Sequence, residues 1–95
     1  MKRLLGSYLR ELRGKESRVQ FARRLDLSYT FVREMELGNR LPSDEVLLDI
    51  GSRLGADPRK LVLFAHCDRS PSLLRVLQEH GVADLLPEDV VEPAQ

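Results

Sequence analysis

The sequence predicts an all-α fold, a compact bundle of five short helices followed by a sixth helix and a tail. Three observations lead there. Apolar residues recur at spacings of three and four rather than two. Ser and Asp N-caps alternate with glycine stops at intervals of about one short helix. The 95 residues suffice for one small core but not for two.

Each element follows from its own signals. Leu5, Leu9 and Leu12 share one face of a first helix, which Gly14 ends. Ser17 is placed as the N-cap of a second helix, and Gln20 completes a capping box in which the two side chains satisfy backbone N–H groups reciprocally. This helix is expected from about Arg18 to Leu25, with Val19, Phe21, Ala22 and Leu25 as its apolar set. After a break at Asp26-Leu27, Ser28 caps a third helix from Tyr29 to Leu37. Gly38 then takes the position where a left-handed backbone is needed. Asn39 to Pro42 form a loop. Ser43 caps a fourth helix, with Asp44 and Glu45 in its first turn, where carboxylates suit the helix dipole. Val46, Leu47, Ile50 and Leu54 make its core stripe, and Gly55 stops it. Asp57-Pro58 starts a fifth helix, expected to reach about His66, and Ser70-Pro71 repeats that signal for a sixth, ended by Gly81. Val82 to Gln95 carries Leu85, Leu86, Val90 and Val91 and is expected to order only when packed on something. The organisation read from this is a domain over residues 1–66 and a C-terminal segment over 67–95.

Composition bounds the function. No apolar run approaches the roughly 18 residues that a membrane span needs. Met1 to Gly6 begins basic, but Arg10, Glu11 and Arg13 arrive too soon for a signal peptide, so a cytoplasmic location is expected. The lone Cys67 excludes an intramolecular disulfide and suits a reducing compartment. Net charge is zero, yet its distribution is uneven. Residues 1–66 hold 13 Lys/Arg against 9 Asp/Glu, a balance of +4, and residues 67–95 hold 2 against 6, a balance of −4. A basic part beside an acidic part hints at a nucleic-acid partner, although solvated surface accounts for +4 equally well.

The second helix, the short turn and the third helix carry the functional signal. Ala22 is small enough for the third helix to cross closely, Leu27 sits in the turn, and Val32 and Met35 face inward. Two short helices, a tight turn and a buried apolar set make a helix-turn-helix unit, whose second helix projects into the major groove. The stretches LRELR (Leu9 to Arg13), SRVQFARRLDLS (Ser17 to Ser28), FVREMELGNRLPS (Phe31 to Ser43) and LLDIGSRLGADPRKL (Leu47 to Leu61) resemble the phage-repressor, or XRE, family of helix-turn-helix domains. The resemblance covers Leu5 to about His66. It implies a phage-repressor-like five-helix bundle, sequence-specific binding of double-stranded DNA, and a homodimer. Four features depart from the family's pattern. Asp26 stands where Gly is usual, and Glu16 where an apolar residue is usual before the second helix's cap. The loop between the first two helices is shorter, and Glu34 puts a negative charge on the reading face.

Helical spacing sorts the third helix. Phe31, Val32 and Met35 form its inward side, while Tyr29, Thr30, Arg33 and Glu34 form one outward stripe expected at the base edges. Arg33 can donate a bidentate pair to guanine O6 and N7, Glu34 can accept from cytosine N4, and Thr30 can touch a thymine methyl. Tyr29 can reach a phosphate or the sugar wall. Arg18, Ser28, Asn39, Arg40 and Lys15 flank this stripe as candidate phosphate contacts, fixing register and affinity rather than sequence. The alternative for each of these residues is plain solvated surface. By the same resemblance, Glu36 pairs with Arg13 inside the domain as a structural ion pair and does not touch DNA.

Little points to catalysis. His66, Cys67 and His80 do not match any structural zinc spacing, no Gly-rich phosphate loop is present, and no carboxylate pair marks a cleft. Neither metal nor cofactor is expected. Leu73, Leu74, Val76 and Leu77 give the sixth helix an apolar face, which either closes the domain's own core or meets a second copy or another protein. The leading expectation is a transcriptional regulator, a repressor acting by occlusion. The neutral charge, Glu34 and the acidic apolar tail instead suit a protein-interaction module of the same fold, such as an antitoxin-like partner of another chain.

Overall fold

The computed structural model describes residues 3–81. Leu85, Leu86, Val90 and Val91, and with them the expectation about the tail, lie outside the described residues. Six helices follow one another, α1 (Leu4–Arg13), α2 (Arg18–Leu25), α3 (Tyr29–Leu37), α4 (Asp44–Leu54), α5 (Pro58–Arg69) and α6 (Pro71–His80), and the described residues contain no strand. The fold is all-α.

The start signals act locally. Ser17, Ser28, Ser43 and Ser70 each accept, through Oγ, the N–H three residues on, and Asp57 Oδ1 accepts that of Arg59. Of the expected capping box at α2 the serine half is present, and the Gln20 side chain makes no return bond. Asp26 adopts a left-handed backbone, φ 57° and ψ 42°, unusual for a residue with a Cβ. Its N–H and that of Leu27 bond to the carbonyls of Arg23 and Ala22, which closes the helix as a Schellman motif. Glu16 replaces the usual apolar residue with an ion pair, accepting from Arg24 at 2.8 Å while the Arg24 guanidinium lies 5.6 Å from the Phe21 ring centroid.

One core serves α1 to α5. Leu5, Leu9, Phe21, Leu25, Val32, Met35, Leu47, Ile50, Leu61 and Ala65 are fully buried, and Ala22 nearly so. Two expectations are corrected. Val19, assigned to the apolar face of α2, is 47% exposed, because its position turns it toward the end of α1 rather than the core. Helix α5 runs to Arg69, three residues beyond His66, since no stop signal precedes Ser70. α6 packs on α5 and buries none of its residues.

The start of α1 is held from the far end of the fold. Its N-cap, Arg3, makes no capping bond, and Asp68 of α5 supplies one instead. Asp68 Oδ1 accepts the N–H of Leu4 at 2.9 Å and Oδ2 that of Leu5 at 3.0 Å. A carboxylate there also meets the positive end of the α1 dipole. Asp68→Ala is expected to lower stability by about 0.5–2 kcal/mol, the usual range for a lost N-cap. A urea midpoint equal to the parent's would refute this role.

Candidate nucleic-acid interface

The outward side of α3 presents Tyr29, Thr30 and Arg33 as exposed residues, with Glu34 half-buried beside them. Val32 and Met35, fully buried on the opposite side, fix which way the stripe faces. Phe31 is half-buried, and its ring carries the Arg40 guanidinium 4.7 Å from the centroid. Arg40 is therefore stacked at the edge of the stripe, with its charge open to solvent.

Below the stripe, two arginines meet around Glu36, which is fully buried. Arg13 Nε and NH2 donate to its two oxygens at 2.8 and 3.1 Å, a bidentate pair. Arg18 Nε donates to Oε1 at 2.9 Å. Sequence reasoning paired Glu36 with Arg13 alone and missed Arg18. The signal available was the spacing of Arg18 to the first turn of α2, but its partner is set by how α2 lies on α3. The Glu36 carboxylate, followed by the Tyr29 side chain, raises the Arg18 pKa above the ordinary arginine value, so this guanidinium is permanently charged. Its Nε is bound to Glu36, and its side chain lines a cleft together with Arg13, Ser17, Val19 and Tyr29. Two guanidinium charges against one carboxylate leave this cleft with an excess positive charge.

The remaining flanking residues divide. Lys15 is exposed in the α1–α2 loop and does not line the cleft. Ser28 is exposed, and its oxygen is engaged by the N–H of Phe31, so its hydroxyl proton remains available to an acceptor. Asn39 is turned toward Glu34, its Nδ2 donating to Oε2 at 2.7 Å. The other Glu34 oxygen lies 3.7 Å from Arg33 NH1. The loop from Asn39 to Pro42 is tethered from behind, where Arg69 NH2 donates to the Pro42 carbonyl at 2.7 Å.

His66 and Cys67 are neighbours with different surroundings. His66 Nε2 lies 2.9 Å from Asp44 Oδ1, joining α5 to α4. The Cys67 thiol is buried, which pushes its pKa up. Among the described residues no group of three or more His, Cys, Asp and Glu comes together to hold a metal ion. No helix among them is long and apolar enough to cross a membrane.

A protein-family model described as a helix-turn-helix domain matches the chain over residues 4–63. The matched stretch begins with α1 and runs into α5, so it contains every residue of the stripe and of the Glu36 cluster. No curated protein and no solved structure was found to match the chain.

Proposed function

Since the chain belongs to the helix-turn-helix domain family of the phage-repressor (XRE) type, we propose that it is a cytoplasmic, non-enzymatic, sequence-specific regulator that binds double-stranded DNA as a homodimer and represses by occlusion. One observation carries the reading. The outward side of α3 exposes Tyr29, Thr30 and Arg33 while its inward side is locked into the core by Val32 and Met35. This is what a helix entering a major groove requires. Arg33 is the guanine donor. The charge of Arg18, with Ser28, Arg40 and Lys15 around the stripe, meets the phosphates. Asn39 touches Glu34 first, and only its second N–H is left for a phosphate.

A dimer through α5 and α6 is supported by the exposure there, since no residue of α6 is buried and Leu63 and Val76 remain exposed. A second copy there would set two reading helices about 34 Å apart, one turn of DNA. The same apolar exposure favours the second reading, an interaction module that has kept the fold and binds another protein. In the regulator reading residues 1–66 carry the reading helix, and residues 67–95, joined by Leu63 of α5, supply the associating surface.

Selection of a random duplex library, followed by titration of the winner against salt, decides between them. The regulator reading expects a near-palindrome with half-sites about one turn apart and a steep salt slope. Arg33→Ala is then expected to cost about 1–3 kcal/mol and to relax preference at one base position. Binding without a motif, no tighter than roughly 10⁻⁴–10⁻⁶ M at physiological salt, would hand the lead to the interaction module.

A further inference from the structure

The end of α3 folds back on itself. Gly38 has φ 79° and ψ 13°, a left-handed conformation that side chains with a Cβ rarely adopt. This turn brings Asn39 over the last turn of α3, where its backbone N–H donates to the Glu34 carbonyl at 2.9 Å. Its side chain then lands on the same residue, Nδ2 donating to Glu34 Oε2 at 2.7 Å. Asn39 thus grips Glu34 at two points. The orientation of the amide follows from chemistry, because a carboxylate only accepts and the flipped amide would set two oxygens against each other.

What this grip does depends on Arg33. Glu34 Oε1 and Arg33 NH1 stand 3.7 Å apart, closer to an ion pair than to a tight hydrogen bond. Free to turn, the carboxylate would close on the guanidinium as a charge-assisted pair, more strongly as water leaves the groove. Both would then be lost to the bases. With Oε2 held by Asn39, the carboxylate keeps its place and Arg33 keeps its donors.

We propose that Asn39 is a specificity-determining positioning residue, which holds Glu34 so that Arg33 reads guanine and Glu34 accepts from cytosine N4 in G·C-containing half-sites. The inference rests on the reading of α3 as the DNA-reading helix. This role is distinct from the phosphate contact left to the second N–H of Asn39, because its effect is exerted through a side chain that faces bases.

The test measures binding of the full chain, Asn39→Ala, Glu34→Gln and the double variant to the selected duplex. Each is also measured on duplexes changed at one base pair and at several salt concentrations, and thermal melting checks folding. Asn39→Ala and Glu34→Gln are expected to lose discrimination at the same G·C position, by between about five-fold and about a hundred-fold. The double variant is expected to lose no more than either single one, as for residues acting as a unit. Asn39→Ala that instead weakens every duplex alike and leaves the preference among bases unchanged marks a phosphate contact and overturns the proposal while leaving the DNA-binding reading intact. A parent chain with no preference among duplexes overturns both.

Discussion

Glu36→Ala is expected to unfold the domain before it changes any binding preference. Glu36 is fully buried and carries three hydrogen bonds from two arginines, Arg13 and Arg18. Their side chains are only 20% and 27% exposed, so neither guanidinium can recover its hydration without moving. Removing the carboxylate leaves two like charges facing one vacated site. Breaking a buried pair by deleting one partner costs about 3–5 kcal/mol, and here the deleted group serves two partners. A small domain has roughly 5–15 kcal/mol in total. Since about 1 kcal/mol shifts the melting temperature by some 4–8 °C at this size, a drop of more than about 10 °C is expected. Equal melting temperatures for variant and parent would show that water reaches the site and that the cluster is surface electrostatics. Glu36→Gln keeps the volume and one acceptor, so it should fall between the two. If it matched Glu36→Ala, charge rather than packing would carry the effect.

This cluster marks where sequence reading reached and where it stopped. Signals confined to one turn were legible, because a cap or a stop depends on three or four successive residues. Ser17, Ser28, Ser43, Asp57 and Ser70 cap the helices they precede, and Gly38 and Gly55 take left-handed backbones at the ends of α3 and α4. The outward stripe of α3 was legible for the same reason, since helical period alone separates it from Val32 and Met35. Contacts made by placement of one helix on another were not. Asp68 caps a helix that begins more than sixty residues earlier, and no local pattern announces it. Arg18 reads as an ordinary basic residue at a helix start until α2 is laid across α3, when it becomes the second cation on Glu36. Val19 fits the apolar spacing of α2 and still lies at the cleft, because an eight-residue helix has too few turns for its period to fix which edge is covered. Asn39 and Glu34 lie five residues apart, near enough to suspect, but their contact depends on the left-handed turn at Gly38.

Gly6→Ala sets local and tertiary physics against each other, and the tertiary term is expected to win. Judged by the helix alone the change is favourable, since glycine in mid-helix is about 0.5–1 kcal/mol worse than alanine. Gly6 lies inside α1, is buried, and its backbone φ is not positive, so nothing local requires a glycine. The requirement comes from α3. A Cβ at this position would clash with the Glu36 carbonyl oxygen and stand 3.0 Å from both the Glu36 carbonyl carbon and the Met35 carbonyl oxygen. These are backbone atoms, which cannot swing aside as a flexible side chain would, so the two helices must separate. Separation acts on two structures at once. Leu5 and Leu9 of α1 pack in the same core as Val32 and Met35 of α3. The Arg13–Glu36 pair spans the same two helices with bonds of 2.8 and 3.1 Å. Overpacking of a core commonly costs about 1–3 kcal/mol, and the weakened ion pair adds to it. A net loss of roughly 2 kcal/mol or more is therefore expected from the urea midpoint, with the slope unchanged. The coupling has a signature of its own. If the methyl acts partly by straining the Glu36 cluster, then Gly6→Ala and Glu36→Ala are not additive, and the double variant loses less than the sum of the two. Strict additivity would confine the effect of the methyl to core packing. A midpoint above the parent's would mean that the helix crossing is loose enough to absorb a methyl and that the close approach of α1 to α3 is not what holds α3 in place.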